Sequence, residues 1–335
     1  MTNIRDIVAD PHFMPVGITP DLCKIRFARV QPDTVRTQPF LDGRTPFTEG
    51  PEILLPVDEI AAELASRPDI CTPTILHVSF CGSTLLSSLL DIPGQSLGLR
   101  EPAVQIGLAD AVVAHPSKVR EIAYVIEALL GRAIEGQQTV IKPTNWANNL
   151  LPAWNERRSI NPVFMVIAPR PFLRAVFRGG GDRLTYTMRT VQHLAPGLND
   201  GLRRIAKAAG STADPLQQAA RLTLLALSFQ LLIFEEARSK GGWAANRIIA
   251  FSELHNDPVS TATRTAQLLH LDINPAMIAN HSDGVLARNA KSPDRQFHPN
   301  DEAENNRVIE QHHGRTFDQA LEWAYAEGLY LIIDG

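Results

Sequence analysis

Three consecutive small residues, Gly82, Ser83 and Thr84, have the types and the position that an anion-binding site needs. They follow the apolar run ILHVSF (75–80) and open the leucine-rich pattern STLLSSLL (83–90). This order predicts a strand, a tight turn and a helix, and the free N–H groups of such a helix's first turn point at the turn. The two hydroxyls add donors, although Thr84 could equally serve as an ordinary capping residue. The chemistry predicted for this turn is the binding of a phosphate or sulfate group.

Two better-known anion loops do not fit the spacing around this turn. A Walker A loop needs a glycine five residues before Gly82 and a lysine directly after it, and those positions hold His77 and Ser83. A cysteine phosphatase would pair Cys81 with an arginine six residues later, where the chain has Ser87. We therefore interpret Cys81 as sensitive to oxidation and not as a nucleophile, and His77 as a core residue.

Two charged residues stand at the ends of predicted strands. Glu101 follows SLGLR (96–100), and Lys142 ends TVIK (139–142). Ligands of open parallel sheets bind at the carboxyl ends of the strands, so both side chains are predicted to lie near the turn. Lys142 could supply positive charge to a bound anion, and Glu101 could act as a general base. The alternatives are a plain surface lysine and a cap for the helix that begins near Pro102.

The elements that must position these residues form an α/β pattern. Residues 1–70 are rich in proline and turn residues, with short strand-like pieces and one helical segment at 56–67, which predicts an N-terminal cap. From 71 to 335, apolar runs alternate with helical patterns, which predicts one domain with a central parallel sheet and helices on both faces, in three layers. We expect the first strand of that sheet to end at about Phe80 and the next helix to begin at 83 or 84. A single helix is predicted over about 182–208.

Composition limits the partners. The 335 residues are 44% hydrophobic with a net charge of −4, so no overall basic field favours nucleic acid or an anionic membrane. The most apolar stretch, LTLLALSFQLLIF (222–234), is interrupted by polar residues and predicts a buried core helix. Three unpatterned cysteines and the lack of a leader at the start of the sequence favour the cytoplasm. The pair His312 and His313 lacks further ligands at metal spacing, so no metal site is predicted.

Five segments together resemble the bacterial branch of the sulfotransferase family, whose members use 3'-phosphoadenosine 5'-phosphosulfate. Each segment is weak alone, but their order spans about 200 residues. In chain order they are SFCGSTLLSSLL (79–90), LREP (99–102), VIKPTN (140–145), NPVFMVIAPRPFLRAVFR (161–178) and RIIAFSELHNDPVSTATRTAQLLHL (247–271).

The resemblance implies a fold like that of P-loop nucleoside triphosphate hydrolases and roles for individual residues. Phe80 stands where the family has a basic residue, which makes Lys142 the replacement cation in this interpretation, while Glu101 remains the base. The residues implied to bind the co-substrate lie in the turn, after the fourth strand and in a basic C-terminal loop: Cys81, Gly82, Ser83, Thr84, Leu85, Arg170, Arg174, Arg288 and Lys291.

The function that the resemblance implies is sulfonate transfer from 3'-phosphoadenosine 5'-phosphosulfate to a hydroxyl or amine of a small acceptor, without a metal. Two alternatives remain open at this stage. One is a P-loop kinase-like phosphotransferase, and the other is a non-catalytic module that binds the nucleotide or a sulfated metabolite.

Overall fold

The N-terminal region forms a small antiparallel sheet. In the computed structural model, which describes residues 3–68, 70–197, 200–289, 292–296 and 299–332, this sheet has the strand order β1-β2-β3. Alternation in KIRFAR of β2 buries Ile25 and Phe27. The elements of the region are α1 (Ile4–Ala9), β1 (Phe13–Ile18), β2 (Lys24–Arg29), α2 (Pro32–Thr37), β3 (Glu49–Pro56) and α3 (Val57–Leu64).

The rest of the chain is built on a five-stranded parallel sheet. Its spatial order is β5-β6-β4-β7-β8, with every neighbouring pair parallel. The predicted α/β architecture with a parallel sheet flanked by helices is therefore confirmed. The strands are β4 (Thr72–His77), β5 (Ser96–Arg100), β6 (Gln138–Lys142), β7 (Ile160–Val166) and β8 (Ile248–Ala250), and a short hairpin of β9 (Arg288–Asn289) and β10 (Ser292–Gln296) follows.

Helices connect the parallel strands and flank them. They are α4 (Ser83–Leu89), α5 (Ala103–Ala111), α6 (Pro116–Leu130), α7 (Leu151–Arg157), α8 (Pro169–Arg178), α9 (Gly180–Leu194), α10 (Asp200–Gly210), α11 (Pro215–Gly241), α12 (Phe251–Asn256), α13 (Pro258–Leu268), α14 (Pro275–Leu286) and α15 (Pro299–Ala326). Three 3₁₀ turns, Asn145–Leu150, Ala195–Gly197 and Ala245–Arg247, complete the described elements.

The longest apolar helix, α11, lies in the core. It contacts α7, α8, α9, α10 and α15, and most of its apolar side chains are buried. By length and composition alone α11 could cross a membrane, and it is the one such helix in the described ranges. A buried core helix passes the same test, and the packing of α11 agrees with the predicted core helix.

Two predicted boundaries are wrong. Strand β4 ends at His77 and not near Phe80, because the chain leaves the sheet and Phe80 takes a left-handed φ of 60°. The helix after it does begin at Ser83, as predicted. The predicted helix 182–208 is two helices, α9 and α10, because Pro196 lacks the N–H that a continuous helix needs.

Backbone and side-chain contacts join the N-terminal region to the parallel sheet. The N–H of Leu41 donates to the Arg100 carbonyl at 2.6 Å, and the Ala103 N–H donates to the Leu41 carbonyl at 3.0 Å. Arg36 of α2 donates to the carboxylate of Asp91, which lies between α4 and β5. The segment around Leu41 is thereby held against the end of β5, whereas the domain boundary at residue 70 stays a prediction.

Candidate functional site

A cavity of about 750 Å³ opens at the carboxyl edge of the parallel sheet. The loop from Ser79 to Leu85 lines it, together with the end of β5, the turn after β6, α9 and the segment from Phe40 to Arg44. Strand β4 lies between β6 and β7. The strands that follow it in the chain, β5 and β6, lie on one side of it, and β7 and β8 lie on the other, so the strand order reverses at β4. Open α/β sheets bind ligands in the crevice at such a switch point, and this volume suits a small molecule.

The loop between β4 and α4 has a fixed conformation. Phe80 and Gly82 have φ values of 60° and 81°, and the Cys81 thiol donates to the Val78 carbonyl at 2.9 Å. A Cβ atom on Gly82 would lie 3.1 Å from the ring of Phe251, so that residue 82 must be glycine for both conformational and steric reasons. The buried Cys81 thiol is enclosed in the loop, which shields it from the oxidation expected from the sequence.

Two residues of this loop bring hydroxyl groups to the cavity. Ser83 and Thr84 are only 5% and 4% exposed, both line the cavity, and neither side chain hydrogen-bonds to another residue in the described part of the chain. A hydroxyl that lines a cavity can donate a hydrogen bond to a ligand and accept one from it, so both are available to a ligand. Cys81, Gly82 and Leu85 line the same cavity, so the structure brings all five loop residues named from the sequence together.

Glu101 and Lys142 meet, but in a different arrangement from the predicted one. Lys142 is fully buried, its Nζ lies 2.5 Å from Glu101 Oε1 and 5.6 Å from the centre of the Phe40 ring, and it does not line the cavity. The Glu101 N–H also donates to the Lys142 carbonyl at 2.7 Å. Glu101 does line the cavity. The expectation that Lys142 faces the ligand is corrected, because its charge is directed at Glu101.

His77 is the core residue that the sequence indicated. Its Nδ1 lies 3.0 Å from the Val78 carbonyl and its Nε2 lies 2.9 Å from the Pro143 carbonyl. Burial, followed by the charge of Lys142, lowers the pKa of His77 to about 3. The ring is therefore neutral near pH 7 and can donate to one of the two carbonyls.

Tyr186 of α9 is a functional candidate that the sequence analysis missed. Its hydroxyl donates to Asn145 Oδ1 and lies within hydrogen-bonding reach of Ser79 and Thr144. Burial, with the negative charge of Glu101 adding to it, raises the pKa of Tyr186 to about 12, so the phenol stays protonated. No sequence pattern marks this residue, because α9 brings it to the cavity from about 100 residues beyond the loop.

An aromatic side chain forms another wall of the cavity. Trp146 stacks on His193 with 3.8 Å between ring centres, and its Nε1–H donates to Asp110 Oδ1 at 2.6 Å. Trp146 and Asp110 both line the cavity. An indole held at both its face and its edge gives a rigid apolar surface against which a flat group can pack.

Arg170 and Arg174 do not reach this cavity. The side chain of Arg170 lies 2.8 Å from Glu310 and 2.5 Å from Asp318, and Arg174 lies 3.6 Å from Glu310. These carboxylates belong to α15, which packs on α8. Arg170 and Arg174 thus both form ion pairs with carboxylates of α15, which corrects the expectation that they bind a 3'-phosphate.

The C-terminal basic loop can be placed only in part. Arg288 begins β9, whose backbone pairs with β10, and Lys291 lies outside the described residues. Their implied contact with the co-substrate stays a prediction.

Within the described ranges, no three His, Cys, Asp or Glu side chains lie together in a way that could hold a metal ion. Comparison of the chain with protein-family models, with curated proteins and with solved structures finds no match. The case for a function therefore depends on the geometry of the cavity.

Proposed function

We propose that this protein binds 3'-phosphoadenosine 5'-phosphosulfate in the cavity and transfers its sulfonate to a hydroxyl or amine of a small acceptor. One observation carries the proposal: the hydroxyls of Ser83 and Thr84, which have no hydrogen-bond partner among the described residues, share a cavity with the carboxylate of Glu101. The hydroxyls suit an anionic donor, and the carboxylate suits a nucleophile that must lose a proton.

In the proposed reaction, the acceptor oxygen or nitrogen forms a bond to sulfur while the bond from sulfur to the bridging phosphate oxygen breaks. Glu101 takes the acceptor's proton, and the electron pair of the broken bond leaves with adenosine 3',5'-bisphosphate. Donors fixed before the reaction stabilise charge that develops on the sulfonate and the leaving phosphate. Ser83 and Thr84 occupy such fixed positions, because α4 begins at Ser83.

The rest of the proposal follows from the same assignment. The sheet would be of the three-layer, P-loop type, with the Ser79–Leu85 loop as its anion loop. The protein would work in the cytoplasm on a small-molecule acceptor, without a metal and without a nucleic-acid or membrane partner. The apolar surface of Trp146 would contact a flat part of either substrate.

Calorimetric titration tests the binding half of the proposal. Adenosine 3',5'-bisphosphate should bind without Mg²⁺ and more tightly than ATP with Mg²⁺. Each hydroxyl contributes about 0.5–1.5 kcal/mol, so the double variant Ser83→Ala/Thr84→Val should bind the bisphosphate about 5- to 100-fold more weakly. Ser87→Ala is the matched control, since Ser87 is buried on the same helix but does not line the cavity. Tighter binding of ATP with Mg²⁺ would favour the kinase-like alternative.

Turnover tests the catalytic half. Glu101→Gln alone would leave the buried Lys142 without its counter-charge, so the informative variant is Glu101→Gln/Lys142→Met, which removes both charges. We expect it to keep the nucleotide affinity within about threefold and to lose transfer to any acceptor that the wild type uses. A wild type that binds the nucleotide but sulfonates no member of a broad acceptor panel would favour the binding-module alternative.

A further inference from the structure

Two of the cations near the cavity are already neutralised by carboxylates. Arg44 lies 2.5 Å from Asp42, and Lys142 lies 2.5 Å from Glu101. An anion that entered the cavity would have to compete with these carboxylates for either charge. Two further arginines line the cavity among the described residues, Arg183 and Arg189, and Arg189 is exposed, so that water screens its charge.

Arg183 of α9 has the required position and lacks such a carboxylate. It lines the cavity, its guanidinium carbon lies 4.9 Å from the centre of the Phe80 ring, and Nη1 donates to the Ala175 carbonyl. No Asp or Glu forms an ion pair with it in the described part of the chain. Burial, followed by the charge of Arg178, lowers the pKa of Arg183.

The platform beneath Arg183 is rigid. The Phe80 ring lies 6.0 Å from Phe172 and 6.3 Å from Tyr186, and its backbone is fixed in the left-handed region. A guanidinium over an aromatic face is held by dispersion and by attraction to the ring's negative face. Phe80 thus holds the cation directly beside the anion loop of which it is a part.

The glycine run before Arg183 provides the space for its side chain. A Cβ atom on Gly179 would lie 2.0 Å from Arg183 Cδ and 2.3 Å from Cγ, so the aliphatic part of the arginine crosses the bare backbone there. Gly179 has a φ of −86°, which other residues can adopt. Glycine is therefore needed at this position because of the arginine and not because of the backbone.

We infer that Arg183 is the cation that binds the anionic end of a ligand on the Ser79–Leu85 loop, with Phe80 and Gly179 positioning it. The ligand chemistry is that of a phosphate or sulfate oxyanion, and only the choice of nucleotide rests on the proposed function. The buried hydroxyls of Ser83 and Thr84, unpartnered within the described residues, are an independent sign of a ligand in the same cavity. The carboxylate of Asp182 also lines the cavity but is exposed, so water screens its charge.

Calorimetric titration with inorganic pyrophosphate and with adenosine 3',5'-bisphosphate tests this inference. Arg183→Gln should weaken binding of both probes by about 10- to 100-fold, the loss expected for one charge-assisted hydrogen bond. Arg157→Gln is the matched control: Arg157 stacks on Tyr124 at 5.9 Å, does not line the cavity, and its loss changes the net charge equally. It should change neither affinity by more than about twofold.

A second variant tests the positioning without removing the charge. Gly179→Ala should displace Arg183 and weaken pyrophosphate binding at least threefold, with the melting temperature recorded to show that the protein remains folded. Wild-type affinity in Arg183→Gln would overturn the inference, and wild-type affinity in Gly179→Ala alone would overturn the positioning role.

The two probes separate the inference from the proposed function. If the wild type binds pyrophosphate but not the nucleotide, the proposed function fails while the pyrophosphate titrations still decide the role of Arg183. If it binds neither anion, both are overturned.

Discussion

Two consecutive residues at the end of β5 belong to two charge clusters that differ in whether the acidic member lines the cavity. Arg100 lies 2.5 Å from Asp91, which also accepts from Arg36, and Asp91 is 2% exposed. Glu101 pairs with the buried Lys142, lines the cavity and is 18% exposed. The Asp91 cluster is closed, because its acidic group is buried between two arginines, whereas the Glu101 pair is open, because its cation is the buried member and its acidic group lines the cavity.

The difference separates structural charge from charge available to a ligand. A carboxylate bonded on all sides cannot accept another proton or partner without breaking the network. A carboxylate that lines a cavity can accept a hydrogen bond from a ligand there. The Asp91 cluster therefore joins the N-terminal region to the sheet, while the Glu101 pair places a carboxylate at the cavity, where the proposed function assigns it the role of base.

The largest expected effect is the loss of stability when the carboxylate of the closed Asp91 cluster is removed. Asp91→Ala leaves Arg36 and Arg100 without their shared counter-charge, and loss of one partner from a buried ion pair costs about 3–5 kcal/mol. Urea denaturation of the variant should show this decrease in the free energy of unfolding. Glu236→Gln, which breaks the exposed pair with Lys240, should cost no more than about 0.5 kcal/mol. A loss below about 1 kcal/mol for Asp91→Ala would remove the contrast between the clusters.

Glu127 is a buried carboxyl that forms no ion pair in the described part of the chain, which extends the comparison. Burial raises the pKa of Glu127 to about 8, against the opposing effect of its hydrogen bond from Gln105. Between pH 4.5 and 8 the folded state keeps a proton that the unfolded state loses, so Glu127 makes stability fall as pH rises. Glu127→Gln should remove this slope and be more stable than the wild type at pH 8 by on the order of 2 kcal/mol. Parallel stability curves for the two proteins from pH 5 to 8 would contradict this assignment.

The open pair should tolerate loss of its cation better than the closed cluster. Lys142→Met keeps the side-chain volume and leaves Glu101 in reach of water in the cavity, so the free energy of unfolding should change by less than about 2 kcal/mol. Nucleotide affinity should fall less than in Arg183→Gln, because Lys142 does not line the cavity. Chemical denaturation measures the free energy of unfolding, and calorimetry on the same preparation measures the nucleotide affinity. A larger loss of affinity than in Arg183→Gln would indicate that Lys142 binds the anion.

The smallest effect on stability and on affinity is expected for Arg170, on the surface of α8. Arg170 is 39% exposed and paired with carboxylates of α15, so Arg170→Gln should cost at most about 1 kcal/mol. Its affinity for adenosine 3',5'-bisphosphate should match that of the wild type, as calorimetry can show. Weaker binding by tenfold or more would restore the 3'-phosphate role that the sequence suggested.

Local pattern was enough to predict the sheet and the loop. Apolar runs and helical periods in 72–89 determine where β4 and α4 form, so the loop residues Gly82, Ser83 and Thr84 could be placed at a sheet edge in advance. The same reasoning placed Glu101 at that edge, because parallel strands end together.

Contacts between distant elements could not be predicted in this way. Arg170 and Arg174 have the same spacing whether they face a ligand or another helix. Only the packing of α15 on α8 determines which of the two they face. Burial of Lys142 depends on Phe40, which the N-terminal region brings over it. Arg183 reaches Phe80 through the packing of α9, more than 100 residues along the chain.

The close packing of Phe251 against Gly82 affects how fast a ligand binds. Side chains of Phe251 and Leu254 in α12 lie beside Gly82, and residue 82 takes a left-handed conformation that glycine adopts without strain. The entropy of ordering the loop is therefore lost during folding and not at the encounter with a ligand. Association should follow single-step kinetics, with a rate proportional to ligand concentration and no slow unimolecular phase.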